Sequence, residues 1–189
     1  MARPAQHRDR LLQTAVRLFR QQGYAATGLA EILAKSGAPR GSLYHHFPGG
    51  KEAVGAAAVA LAGATVTQTL RQLLERTDSG AAFVTAYGAL LAQWVAASDF
   101  RDGCPIATTL LETTPRSEAI AAAGAAAFEA WTALIARAFA RDGLDADAAH
   151  AHALLVVAGV EGALLLARVT RSTAPVESVA RSLARPAGV

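Results

Sequence analysis

The 189 residues predict an all-α chain of about nine helices. Three observations lead there. The apolar residues, 52% of the chain, are dominated by Ala and Leu with few β-branched runs, a composition that favours helix. Apolar positions recur at helical spacing, and no strand-like alternation of useful length occurs. Gly, Pro and cap residues fall at intervals that divide the sequence into helix-length pieces. With only 17% charged residues the chain is no candidate for disorder, and its length suffices for one or two domains with a real core.

Leu11, Leu12, Ala15, Leu18 and Phe19 share one face of a first helix, 5–22, which Gly23 stops. Thr27 is suited to cap a short second helix with Leu29, Ile32 and Leu33 inward. "KSGAP" reads as a tight turn with Gly37 at positive φ. Pro39 fits the first turn of a third short helix that runs to about His46. After "PGG" a long helix runs from Lys51 towards Arg76, and "TDSG" separates it from another at 80–97. "SDFRDGCP" is a loop, and Pro105 opens a short helix to about Thr113. Thr114-Pro115 signals a long helix, 115–141, with Ile120, Ala127, Trp131, Leu134 and Ala138 along one stripe; Gly143 closes it. Asp145 caps a helix to about Arg171, and "STAP" starts a last one with Val176, Val179 and Leu183 in phase.

The net charge of +3 hides an asymmetry. Residues 1–51 hold eight Lys/Arg (Arg3, Arg8, Arg10, Arg17, Arg20, Lys35, Arg40 and Lys51) against Asp9 and Glu31, while the remainder holds ten against thirteen carboxylates. A basic quarter on a mildly acidic body is the footprint of one part that meets a polyanion and one that does not. The uninterrupted apolar runs, 53–66 and 153–167, are shorter than the ~18–20 residues of a membrane span, so no membrane is expected as a partner. The first residues contain no unbroken apolar segment of the signal-peptide kind, and the single cysteine makes no intrachain disulfide. A cytoplasmic location is the expectation.

The chemistry concentrates in "SGAPRGSLYHHFPGGKEAV", residues 36–54. Two short helices joined by a Gly-containing turn form a helix-turn-helix. Leu43 and Phe47 anchor its second helix inward, so Arg40, Ser42, Tyr44, His45 and His46 project elsewhere, with no carboxylate among them to repel phosphate. Gly41 in mid-helix costs ~1 kcal/mol of propensity, a cost offset by close backbone approach to DNA. In a major groove such a helix lets Arg and His reach base edges while hydroxyls and Lys hold phosphates. Thr27 and Lys51, at helix N-termini, lie where free N–H groups already favour phosphate.

"GYAATGLAEILAKSGAPRGSLYHHFPGGKEAV", residues 23–54, closely resembles the DNA-binding signature of the TetR/AcrR family of transcriptional repressors, and the nine-helix pattern fits that family throughout. The resemblance implies a DNA-binding domain at 1–50, a ligand-binding and dimerisation domain at 51–189, a homodimer on a palindromic double-stranded operator, and release by a small-molecule effector. Carried over, Tyr44, His46 and Lys51 are mainly phosphate contacts. Arg40 and His45, with Ser42 and the Gly41 backbone, are the base readers, and Thr27 belongs to the same set. Gly28 stands where the family often has Ser or Thr, and "PGGK" is one residue longer than the common linker. These features, with "GCPIA" at 103–107, resemble a subgroup that senses small aromatic or drug-like compounds.

The segment "LLVVAGVEGALLLA" is apolar on every face and wants cover on more than one side. Gly159, Gly162 and Ala163 permit close helix approach. Val157, Val160, Glu161 and Leu164, with Val176, Val179 and Leu183 of the last helix, are the expected dimer interface, which is also where the family dimerises. Trp94, Phe100, Phe128 and Trp131 are core aromatics that also suit a ligand pocket bordered by Cys104. Neither a metal nor a cofactor is expected. His45 and His46 diverge by about 100° around a helix, and His150 and His152 are badly spaced for one ion. With no Gly-rich phosphate loop, no Gly-x-Ser-x-Gly and no credible carboxylate pair, no enzyme is expected, and a free Cys104 reads first as a small buried hydrophobe.

Overall fold

The computed structural model describes residues 4–185; Arg3, counted in the basic quarter, lies outside them. Among the described residues there are nine helices and no strand: α1 (Pro4–Gln22), α2 (Leu29–Ser36), α3 (Arg40–His46), α4 (Gly50–Arg76), α5 (Gly80–Ala97), α6 (Ala107–Thr113), α7 (Glu118–Ala140), α8 (Ala146–Thr170) and α9 (Ala174–Leu183). They form two compact units, residues 1–64 with 104–126 and residues 65–103 with 127–189. These units do not follow the functional division expected at residue 50. The long α4 belongs to both, and α6 clusters with the helix-turn-helix.

The first unit is built on the apolar stripe of α1. Leu11, Leu12, Ala15, Leu18 and Phe19 are buried against Ile32 of α2, Leu43 and Phe47 around α3, and Val54 and Ala58 of α4. Several expected helix starts move, that of α6 from Pro105 to Ala107 among them. Gly28, not Thr27, is the N-cap of α2, without a side-chain cap bond. Thr27 is fully buried and its hydroxyl donates to the Gly23 carbonyl at 2.7 Å, closing the preceding turn. Thr114-Pro115 does not open α7, which begins at Glu118 after a turn. Ser117 supplies the cap there, its hydroxyl accepting from the Ile120 N–H at 3.3 Å. Serine is as good an N-cap as threonine, and this one lies three residues nearer than Thr114 to the first apolar anchor, Ile120.

In the second unit Asp145 caps α8 as expected, accepting from the Ala148 N–H at 2.9 Å. The α9 helix packs on both α5 and α8. Gly88 of α5 makes the first contact possible, because a Cβ there would lie 2.3 Å from the Ala180 Cβ. Gly88→Val is therefore expected to cost about 1–3 kcal/mol by overpacking. Thermal unfolding followed by circular dichroism checks this as a fall in Tm of roughly 2–4 °C per kcal/mol. At the other end of α9, His152 of α8 lies within hydrogen-bond distance of the Leu183 carbonyl, its Nε2 at 2.8 Å, and its ring meets Phe139 edge-on at 4.5 Å.

Packing in this unit divides the residues expected at a dimer interface. Val160, Leu164 and Val176 are buried within the chain, while Val157, Glu161, Val179 and Leu183 are half-buried. Val179 and Leu183 lie over Gly159, so α9 covers that side of α8. The face left open is another one: Leu154, Leu155, Leu165, Leu166 and Val169 are 50–74% exposed. A helix apolar all round does not reveal in its sequence which side its own neighbours take.

Run length also misjudged the hydropathy. Helices α4, α5, α7 and α8 are each long and apolar enough to cross a membrane by length and composition. Single polar residues such as Gln68, Gln93 and Glu129 interrupt the runs, yet a stretch of each helix keeps a mean hydropathy of 1.3 or more.

Candidate nucleic-acid interface

The turn between α2 and α3 is built from its own backbone. Gly37 adopts φ +62°, a left-handed conformation that glycine enters without steric cost. Ser36 ties both sides of the turn, its hydroxyl donating to the Leu33 carbonyl at 3.0 Å and accepting from the Ala38 N–H at 3.2 Å. Pro39 takes the N-cap position of α3 and not its first turn. Leu43, fully buried, and Phe47 then fix which side of α3 faces out.

Arg40, Gly41, Tyr44 and His45 are exposed, and Ser42 and His46 are half-buried. Nothing lies within 4 Å of a Cβ built on Gly41, so its backbone is open to close approach. The His46 ring packs between those of His45, at 4.9 Å, and Phe47, at 6.4 Å, which accounts for its partial burial. Tyr44 and Arg40 edge a shallow groove floored by Ala30, Ala34 and Ala38. The α3 helix carries no carboxylate. The one in α2, Glu31, is engaged by Lys35 Nζ at 2.7 Å and Gln22 Nε2 at 2.9 Å. The Lys35 hydrogen bond, then that of Gln22, holds its carboxyl below the ordinary carboxylate range, so it stays a satisfied anion beside Lys35.

Two sequence-predicted residues stand differently from expectation. Thr27 is wholly interior and presents no side-chain surface to phosphate. Lys51 lies in the first turn of α4, but its ammonium donates to the Ala25 carbonyl at 3.2 Å and sits 4.5 Å above the Tyr24 ring. It keeps further N–H donors for an anion. Sequence reasoning counted Arg10 only as charge, whereas the structure places it beside the helix-turn-helix turn. Its guanidinium bonds His7 Nδ1 at 2.6 Å, one turn back, and lies 3.9 Å from a Cβ built on Gly37, beside the turn between α2 and α3. The i, i+3 spacing of His7 and Arg10 was the available signal.

The expected ligand-pocket residues do not gather. A cavity of about 400 Å³ lies between α4 and α5, lined by Thr65, Val66, Thr69, Tyr87, Leu90, Leu91, Gln93, Trp94 and Ala97. Of the five expected residues only Trp94 borders it. Phe128 and Trp131 pack on each other edge-on at 5.2 Å, and Trp131 is buried. Phe100 lies under the Arg171 guanidinium at 5.7 Å. Cys104 is buried in the other compact unit. The sequence placed aromatic residues by type, whereas the cavity follows the α5 stripe Tyr87, Leu90, Leu91 and Trp94. Among the described residues no three His, Cys, Asp or Glu side chains cluster to hold a metal.

Comparison with known proteins decides the family. Residues 11–58 match the profile of bacterial regulatory proteins of the tetR family, and residues 80–182 match the LmrA/YxaF-like transcriptional regulator C-terminal domain. The chain belongs to the TetR family. It is 38% identical over 181 residues to the HTH-type transcriptional regulator Rv0196 of Mycobacterium tuberculosis, covering 93% of this chain and 91% of that one. With the HTH-type transcriptional regulator LmrA of Bacillus subtilis it shares 32% over 168 residues, 89% of each chain. The crystal structure of a regulatory protein TetR from Rhodobacter sphaeroides superposes with a TM-score of 0.84 at 26% identity, covering 94% of this chain and 97% of that one. This TetR-family chain is thus a DNA-binding transcriptional regulator and not an enzyme.

Proposed function

We infer that this TetR-family chain is a repressor that binds a palindromic operator as a homodimer and is released by a small, uncharged apolar or aromatic effector. It works in the cytoplasm, needs no cofactor and has no membrane partner. The observation that carries the reading is the outward surface of α3, exposed Arg40, Gly41, Tyr44 and His45 without an opposing carboxylate on that helix. Arg40 and His45, with Ser42 and the Gly41 backbone, read base edges; Tyr44, His46 and Lys51 hold phosphates. The functional division follows, residues 1–50 for DNA and 51–189 for effector and partner. Selection of duplexes from a random pool tests this. Enrichment of a palindrome with half-sites about 34–36 Å apart is expected, and recovery of unrelated sequences would overturn it.

The homodimer is supported by the open face of α8. Leu154, Leu155, Ala158, Gly162, Leu165, Leu166 and Val169 form a continuous exposed stripe at helical spacing. A stripe of that size demands cover in water, and two-fold symmetry lets it meet its own copy. A Cβ built on Gly162 meets nothing within 4 Å, which leaves room for close helix approach. The same cover accounts for a helix of membrane-like hydropathy in a regulator that acts on DNA.

The α4–α5 cavity supports the effector class. Its volume falls in the range of small-molecule sites, and no charged side chain lines it. Tyr87 and Trp94 offer ring faces, while Gln93 and Thr65 supply polar groups. To release the operator, the effector must favour the spacing of the two α3 helices that DNA does not accept. A coupling of about 1–3 kcal/mol would change operator affinity about 5–150-fold. Nile red, a neutral aromatic probe, is expected to bind there and quench Trp94 fluorescence. Leu90→Glu should abolish that binding, checked by fluorescence titration.

A further inference from the structure

The loop that leads from α1 into α2 is gripped by side chains from two other helices. The Ala25 N–H donates to the carboxylate of Glu112 on α6, and the Ala25 carbonyl accepts from Lys51 Nζ on α4 at 3.2 Å. Each group meets the charge that suits it, an anion on the N–H and a cation on the carbonyl, which makes both bonds charge-assisted. Lys51 is steadied by the Tyr24 ring beneath it, and that ring packs on Phe19 at 5.2 Å. Gly23, at φ +86°, leaves the space that Glu112 enters, since a Cβ there would lie 2.3 Å from Glu112 Oε1.

The α6 helix reaches α1 at a second point one turn earlier, where the Thr108 hydroxyl donates to the Phe19 carbonyl at 3.2 Å. Beyond its other end, Ser117 donates to Glu52, the residue next to Lys51. The first turn of α4 is therefore tied to the α1–α2 loop through Lys51 and to the turn before α7 through Glu52.

We propose that Glu112 is a positioning residue for DNA binding: through Ala25 it fixes the loop from which α2 and α3 take their orientation, so the helix-turn-helix follows α6. The proposal rests on the DNA-binding reading above. Glu112 touches no base or phosphate in this scheme, and its negative charge opposes the polyanion. Electrostatics and positioning therefore predict opposite signs for its removal.

The test measures binding of the selected duplex to the full chain by fluorescence anisotropy, with exchange of the Ala25 amide followed by NMR. Glu112→Ala is expected to weaken binding about tenfold, the scale of one charge-assisted hydrogen bond, and to deprotect the Ala25 amide. The slope of log K against log salt should stay unchanged, because no phosphate contact is lost. Glu112→Gln keeps an acceptor for Ala25 and should retain both amide protection and affinity within about twofold. Glu112→Ala binding as tightly as the parent, or more tightly, overturns the proposal, as does a Gln variant as weak as the Ala variant. Amide exchange needs no DNA. A parent chain that selects no duplex yet keeps Ala25 protected would overturn the DNA-binding reading and the role assigned with it, leaving only a structural bond.

Discussion

Leu165→Asp is expected to convert the dimer into monomers and to remove high-affinity operator binding with it. Leu165 is 61% exposed in the single chain, so the substitution leaves the fold of one chain intact. In the proposed dimer it lies in the middle of the α8 stripe, where two-fold symmetry duplicates every change. An uncompensated carboxylate buried there costs about 3–5 kcal/mol, enough to raise the dimer dissociation constant at least ~100-fold. Sedimentation should then report a monomer at micromolar concentration with unchanged helicity. Operator affinity falls in parallel, because a monomer holds one half-site. A dimer that persists in this variant would exclude the α8 stripe as its interface.

Arg40→Ala carries the other large effect. Arg40 is exposed at the first turn of α3, and no acidic residue of that helix neutralises it. A bidentate arginine–guanine contact is worth about 1–3 kcal/mol of discrimination, and a dimer makes it twice. The preference for operator over unrelated DNA should drop by about 2–6 kcal/mol in total, roughly 30- to 25,000-fold. Binding to unrelated DNA should weaken much less. Competition anisotropy against scrambled duplex separates the two, and an unchanged ratio would remove Arg40 from base readout.

The architecture was legible where one local signal had no rival. The α5 helix begins and ends at the residues its flanking "TDSG" and "SDF" signals indicate, and Asp145 caps α8 as its position before an apolar run requires. Leu43 and Phe47 point inward as their four-residue spacing demands. Legibility ended where two residues competed for one role. Gly28 and Thr27 both suit the start of α2, and tertiary packing drew the threonine inward to the Gly23 carbonyl. Pro115 and Ser117 both suit the start of α7, and the serine took it.

The candidate sites divide along the same line. The outward face of α3 follows from a seven-residue helix with two anchors, a local matter. The open side of α8 depends on where α5 and α9 settle, and the cavity beside Trp94 depends on the separation of α4 from α5. The grip of Glu112 on Ala25 joins residues 87 apart in sequence. Nothing in the spacing of a lone glutamate on a short helix announces such a contact.

The measurement that bears most directly on the central claim is a titration of the selected duplex and of its scrambled counterpart at two salt concentrations, with stoichiometry read at saturation. Two chains per duplex, a preference of at least ~10³-fold, and a log K that falls steeply with log salt are the expected results. Equal, weak binding to both duplexes, or one chain per site, would contradict a dimeric operator-binding regulator.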